Sequence, residues 1–129
     1  MDDHYIMSAE SPTVRVIAMP SDTNPAGDIF GGWLMSQMDL AAGSVASLYS
    51  RGRSATISVE EIQFQRPVKV GDEVSIYTEM LKVGRSSMRI LVKAYRRARH
   101  QEKSEQVTQA VFTFVALDEN GQARPAKPA

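Results

Sequence analysis

The chain has no cysteine. That removes disulfide bridges, thiolate nucleophiles and cysteine-ligated zinc or iron–sulfur centres. Histidine is nearly as scarce. His4 and His100 fall in no motif, read as solvated side chains, and leave no material for a histidine-based metal or nucleophile site. No sign of charge predominates: Lys and Arg number 15, Asp and Glu 15, for a formal net charge of +0. No global field therefore favours nucleic acid or anionic lipid, and neither is expected as a partner. An anionic ligand needs a local basic cluster instead, and nothing electrostatic opposes self-association. The Met1-Asp2-Asp3-His4 start lacks a basic region followed by an apolar run, so no secretory signal is expected. The one segment of membrane-helix length, Phe30 to Ser50, is interrupted by Gly31, Gly32, Ser36, Asp39, Gly43 and Ser47 and makes a poor span. A soluble, cytoplasmic protein without a metal or other cofactor is the expectation.

What is present describes one compact domain: 129 residues, 43% hydrophobic and 23% charged. Residues 1–12 read as a loose arm. Thr13 to Met19 alternates like a strand, and the dense turn cluster from Pro20 to Asp28 follows it. Asp28 is placed to cap a helix from Phe30 to Ser50. On a helical wheel Phe30, Leu34, Met38, Ala41, Val45 and Leu48 form one apolar face. Trp33, Met35, Leu40, Ala42 and Ala46 widen it until the helix is expected to be buried nearly all round. The remaining seam is Ser36, Asp39, Gly43, Ser47 and Ser50. Asp39 is its single charge, with no Lys, Arg or His within two turns. A carboxylate there is costly to bury, so it is either satisfied by a neighbour or kept for chemistry.

The rest reads as strands. Ala55, Ile57 and Val59 share one side before a bulge expected near Glu60-Glu61. Glu73–Val83 and Ser87–Arg97 are long alternating runs joined at Gly84-Arg85-Ser86. His100–Gln106 reads as loop, and Arg96-Arg97-Arg99-His100 as a solvated strand end. Val107–Leu117 is the last strand, and 122–129 an irregular tail. One helix among five antiparallel strands cannot cover both sheet faces, but a curved sheet can wrap it. The fold class is therefore α+β, a single hotdog domain over residues 13–121.

The segments Ala18-Met19-Pro20, Asp22-Thr23-Asn24 and Gly27-Asp28-Ile29-Phe30-Gly31-Gly32-Trp33-Leu34-Met35-Ser36-Gln37-Met38-Asp39 closely resemble the YciA-type acyl-CoA thioesterases, single-hotdog relatives of the two-domain brain acyl-CoA hydrolase. Arg66-Pro67-Val68, Val70-Gly71-Asp72, Lys82-Val83-Gly84-Arg85-Ser86-Ser87 and Val111-Phe112-Thr113-Phe114-Val115-Ala116 continue the match. The resemblance implies hydrolysis of an acyl-CoA thioester to free acid and CoA within fatty acid metabolism. It assigns the catalytic carboxylate to Asp39 and implies a homodimer with helices side by side, assembling further to a hexamer as a trimer of dimers. At the position of a contributing Asn in the two-domain relatives, this chain has Asp28.

Thioester hydrolysis needs a base to activate water and donors to hold the tetrahedral oxyanion. Asp39 suits either a general base or a nucleophile forming a mixed anhydride. The free amides at Gly31 and Gly32, where a helix begins, suit the oxyanion, and glycine lets a ligand approach the backbone. Asp28 is either a cap or a positioning group. For the anionic half of CoA the candidates are Gly84, Arg85, Ser86 and Ser87, a turn with amides, a guanidinium and hydroxyls, joined by Arg66 and Lys69 across a dimer. Asn24 completes the substrate-binding set. Trp33, Met35, Met38 and Phe64 are candidates to line an acyl tunnel shared by two subunits. A hydratase lacks its histidine here. A non-catalytic acyl-CoA-binding or regulatory hotdog would keep the glycine pair without needing Asp39, and a purely structural oligomer would need neither.

Overall fold

A computed structural model describes residues 11–128. Its elements are β1 (Val14–Ile17), α1 (Gly31–Ser50), β2 (Ser54–Glu60), β3 (Glu73–Val83), β4 (Ser87–Arg97) and β5 (Ser104–Ala116). The strands form one antiparallel sheet in the order β1-β3-β4-β5-β2, and α1 touches β2, β3, β4 and β5 alike. This is the hotdog arrangement. All but two residues of the expected 1–12 arm lie outside the described residues.

Alternation drives the sheet. Val74, Ile76, Met88, Ile90, Val92, Phe112 and Phe114 point inward and are almost fully buried against Leu34, Met38, Ala41, Ala42 and Ala46 of the helix. Small residues on α1 let it lie close to the sheet: a Cβ at Gly43 would come 3.3 Å from the Phe114 ring. The helix is not buried all round. Leu40 and Leu48 are 63% and 67% exposed, because one sheet covers only one side of a cylinder. The exposed residues Gly32, Ser36, Leu40, Ser44 and Leu48 repeat every four along it.

Three strand details differ from expectation. β5 begins at Ser104, since Ser104, Glu105 and Gln106 pair with Arg97, Arg96 and Tyr95. The bulge in β2 falls between Thr56 and Ser58, not at Glu60-Glu61. Glu61 instead ends the strand with φ 57. The extra residue, Ile57, breaks the shared parity of Ala55, Ile57 and Val59. Val59 packs on the core while Ile57 is 60% exposed, and Ser54 and Thr56 reach the helix. Beyond β5 the chain is irregular but anchored: Arg124 N–H donates to Ala116 O at 3.0 Å, Ala126 N–H to Arg85 O at 2.8 Å, and Ala126 is fully buried.

Candidate active site

The Pro20–Asp28 cluster folds as a short 3-10 turn and a tight loop. Met19 N–H donates to Asp22 Oδ2 at 2.9 Å, and Asn24 Oδ1 accepts from Ala26 N–H at 2.9 Å and Asp28 N–H at 3.1 Å. Phe30 N–H donates to Asp22 O at 3.0 Å, which sets where α1 starts. Asp28 does not cap it. The N-cap is Phe30, without a side-chain bond, and Asp28 pairs with Lys69 Nζ at 2.8 Å instead. Two residues lie between Asp28 and the first helical position, and the loop turns its carboxylate towards the 69–72 turn. Asn24 thus holds the loop through backbone amides, a role its place in the motif did not specify.

With no cap, the amides of Gly31 and Gly32 donate to no acceptor among the described residues. They stand at the positive end of a 20-residue helix. The two glycines differ in surroundings. A Cβ at Gly31 would meet the Phe64 ring at 3.4 Å, whereas one at Gly32 would meet nothing within 4 Å. Gly31 accommodates Phe64; Gly32 leaves the helix start open to a ligand or another chain.

Asp39 lies on the same side of α1 as Gly32, two helical turns and about 10 Å further along. It is only partly buried, not enclosed by apolar side chains as expected. Its partner is one that charge patterning could not reveal: Thr56 Oγ1 donates to Asp39 Oδ1 at 2.5 Å, leaving Oδ2 without a partner among the described residues. Ser47 and Ser54 meet at 2.9 Å about two turns further on. The polar seam of the helix therefore faces the polar side of β2, and the bulge at Ile57 lets that strand return Val59 to the core. The polar residues of a half-buried strand, usually read as its solvent side, were the available signal for Thr56.

The expected basic set is divided. Gly84 to Ser87 form a two-residue hairpin turn between β3 and β4, closed by Gly84 N–H donating to Ser87 O at 2.8 Å. A Cβ at Gly84 would lie 2.8 Å from Ser87 Oγ, so any larger residue there would have to turn that hydroxyl aside. Arg85 is exposed and has no ion pair among the described residues. Arg66 and Lys69 lie at the opposite end of β3, about 30 Å away along an 11-residue strand. They do not join the hairpin within one protomer. Both are already engaged: Lys69 with Asp28, and Arg66 through Nη1 to Gln106 O at 2.6 Å and Nε to Glu105 at 3.8 Å. Arg96 is not a solvated strand end either. It bridges Glu105 at 3.0 Å and the buried Asp72 at 3.5 Å, and Asp72 also accepts Lys69 N–H at 2.9 Å. Of the tunnel candidates, Met38 is fully buried, Trp33 packs against the core, and Phe64 is 47% exposed. Among the described residues, no three His, Asp or Glu side chains converge as a metal site would require, and no helix is long and apolar enough to cross a membrane.

The described chain is thus a single hotdog domain whose helix opens on an uncapped glycine pair and carries one hydroxyl-bound carboxylate two turns along. Comparison with known proteins places it in a family. Residues 26–103 match the model of the thioesterase superfamily. The chain is 48% identical to an uncharacterised acyl-CoA thioester hydrolase of Zymomonas mobilis, over 87% of this chain and 75% of that protein. It is 44% identical to the acyl-CoA thioester hydrolase YciA of Salmonella typhimurium, over 87% of this chain and 86% of that protein. The solved structure of a hexameric thioesterase from Yersinia pestis superposes with a TM-score of 0.86 at 42% identity, covering 89% of this chain and 93% of that one. The chain belongs to the thioesterase superfamily and, within it, to the YciA-type acyl-CoA thioester hydrolases.

Proposed function

We propose that this protein hydrolyses acyl-CoA thioesters to a free carboxylic acid and CoA, with Asp39 as the catalytic carboxylate. The observation that carries the reading is the Asp39–Thr56 bond, which fixes one oxygen of the only acid on α1 and leaves the other without a partner among the described residues. In the general-base route, Oδ2 takes a proton from water as the hydroxide adds to the thioester carbonyl carbon. The oxygen of the tetrahedral intermediate is held by amides at a helix start, and collapse expels the CoA thiolate, which then takes a proton. In the nucleophilic route Oδ2 itself adds, CoA leaves, and water cleaves the resulting anhydride. Thr56 serves both routes by orienting the carboxylate.

The oxyanion donors are the Gly31 and Gly32 amides, and they come from a second copy. About 10 Å separates Gly32 from Asp39 along one rigid helix, too far for one thioester carbonyl to meet both. Two such helices side by side and antiparallel, with a two-fold axis crossing near Met35 and Ser36, bring Gly32 of each beside Asp39 of the other. The four-residue stripe of small and apolar exposed residues on α1 supports that packing. The hexameric state of the Yersinia pestis relative supports assembly of such dimers into a hexamer. Arg85 in the 84–87 turn, without an ion pair among the described residues, is the group for a CoA phosphate, while Asn24 and Asp28 shape the loop that opens the helix.

The test is thiol release from acetyl- to palmitoyl-CoA by the wild type and by Asp39→Asn, which keeps the shape and removes the charge. The expected loss in kcat is about 100-fold or more, with the fold intact by circular dichroism. A variant with undiminished turnover would remove Asp39 from the chemistry. A wild type that binds acyl-CoA but releases no thiol would make the protein a binding module.

A further inference from the structure

A cavity of about 220 Å³ opens beside Gly31 at the start of α1, walled by Ile29, Phe30, Phe64 and Val68 and floored by Leu34 and Val107. We propose that this cavity holds the first stretch of the acyl chain and that Phe64 determines how the enzyme discriminates chain length. The inference rests on the acyl-CoA hydrolase reading and adds the residue and the length at which discrimination stops.

Four observations carry it. The cavity is lined by Gly31 itself, so an acyl group whose carbonyl meets the helix-start amides of the proposed function enters it directly. Its walls are apolar, and its one charged lining residue, Arg66, has its guanidinium drawn to Gln106 O and Glu105; the cavity therefore suits an alkyl chain rather than the phosphates of CoA. Its floor is closed, because Leu34 and Val107 are core residues exposed by 1% and 0%. Phe64 is the wall that is free to change. It is 47% exposed and leans on Gly31, while the backbone on either side of it is tied to β5 by Gln65 N–H donating to Val107 O at 2.7 Å and by Thr108 Oγ1 donating to Gln63 O at 2.5 Å. A substitution at Phe64 thus alters the cavity without loosening the segment that carries it.

The volume sets the length. At roughly 30 Å³ per group of water size, the cavity takes about seven chain atoms, or an acyl group of about eight carbons with its carbonyl. Each methylene moved from water to apolar walls is worth about fourfold in kcat/KM until the cavity is full. Beyond that the added carbons leave the cavity and the gain stops.

The experiment measures kcat/KM for straight-chain acyl-CoAs of even length from acetyl to palmitoyl, with the wild type, Phe64→Ala and Phe64→Trp. The expected wild-type profile rises steeply and breaks near octanoyl. Phe64→Ala moves the break to longer chains and Phe64→Trp to shorter ones. A wild type active on acyl-CoA whose profile has no break, or a break that both variants leave in place, overturns the assignment of this cavity and leaves the hydrolase reading standing. A wild type that turns over no acyl-CoA overturns the hydrolase reading, and this inference with it.

Discussion

Thr56→Val offers a sharp perturbation of the candidate site, because it exchanges one hydroxyl for a methyl group of nearly the same size. Thr56 is exposed on β2, an edge strand, and Val has an equal or better preference for strands. The strand should therefore tolerate the change, and any stability lost should not exceed the roughly 1.5–3 kcal/mol of the hydrogen bond removed. What is lost is a hydrogen bond from a hydroxyl to a carboxylate, 2.5 Å between Thr56 Oγ1 and Asp39 Oδ1. Bonds of this charge-assisted kind contribute about 1.5–3 kcal/mol. If that energy fixes the reactive orientation of Asp39, its loss reaches the transition state and lowers kcat by roughly 10- to 100-fold, with KM little changed. Steady-state thiol release on the best acyl-CoA from the chain-length series gives both constants. Thr56→Ser, which keeps the donor and drops only the methyl, should recover most of the rate. A Val variant within about twofold of wild-type kcat, or a Ser variant as impaired as Val, would refute the claim that the hydroxyl positions the carboxylate.

Two further substitutions probe parts of the chain that the site depends on less directly. Asp72→Ala removes the acceptor of Lys69 N–H and one partner of Arg96, whose Nε already lies buried without a bond. Because Arg96 keeps Glu105 and is partly exposed, the expected loss is about 2–3 kcal/mol rather than the full cost of an isolated buried charge, read as a lower urea midpoint at fixed protein concentration. A midpoint unchanged from wild type would show that the 69–72 turn needs no such anchor. Arg85→Ala, at an exposed side chain without an ion pair among the described residues, should leave stability unaltered and raise KM for acyl-CoA about fivefold or more, while leaving turnover of the matching acyl-pantetheine untouched. An equal effect on both substrates would place the guanidinium away from the phosphates.

Much of the fold was legible because the periods of hydrophobic residues were long and clean. β3 and β4 appeared at their observed bounds, Glu73–Val83 and Ser87–Arg97, since eleven alternating residues flanked by a Gly-Arg-Ser turn leave no competing period. The helix and the isolation of Asp39 on its seam were legible for the same reason, and the antiparallel hairpins required a sheet that wraps it. Local pattern misled where the answer depended on a long-range neighbour. The exposed apolar side of α1 reads like core, because a wheel records which residues avoid water and not which surface covers them. Asp28 sits where a cap belongs, yet Lys69, far along the chain, takes its carboxylate.

By itself, then, the sequence determined the element order, the bounds of β3 and β4 and the lone helix carboxylate, all of which follow from side-chain period and turn chemistry between residues close in the chain. Only the tertiary structure decided which hydroxyl meets Asp39, that Gly31 is filled by Phe64 while Gly32 stands open, and that Arg66 and Arg85 lie at opposite ends of the sheet. A one-residue bulge at Ile57 reverses which side of β2 faces the helix beyond it, and such a shift is fixed by pairing with β5 across the chain, where no local period can register it.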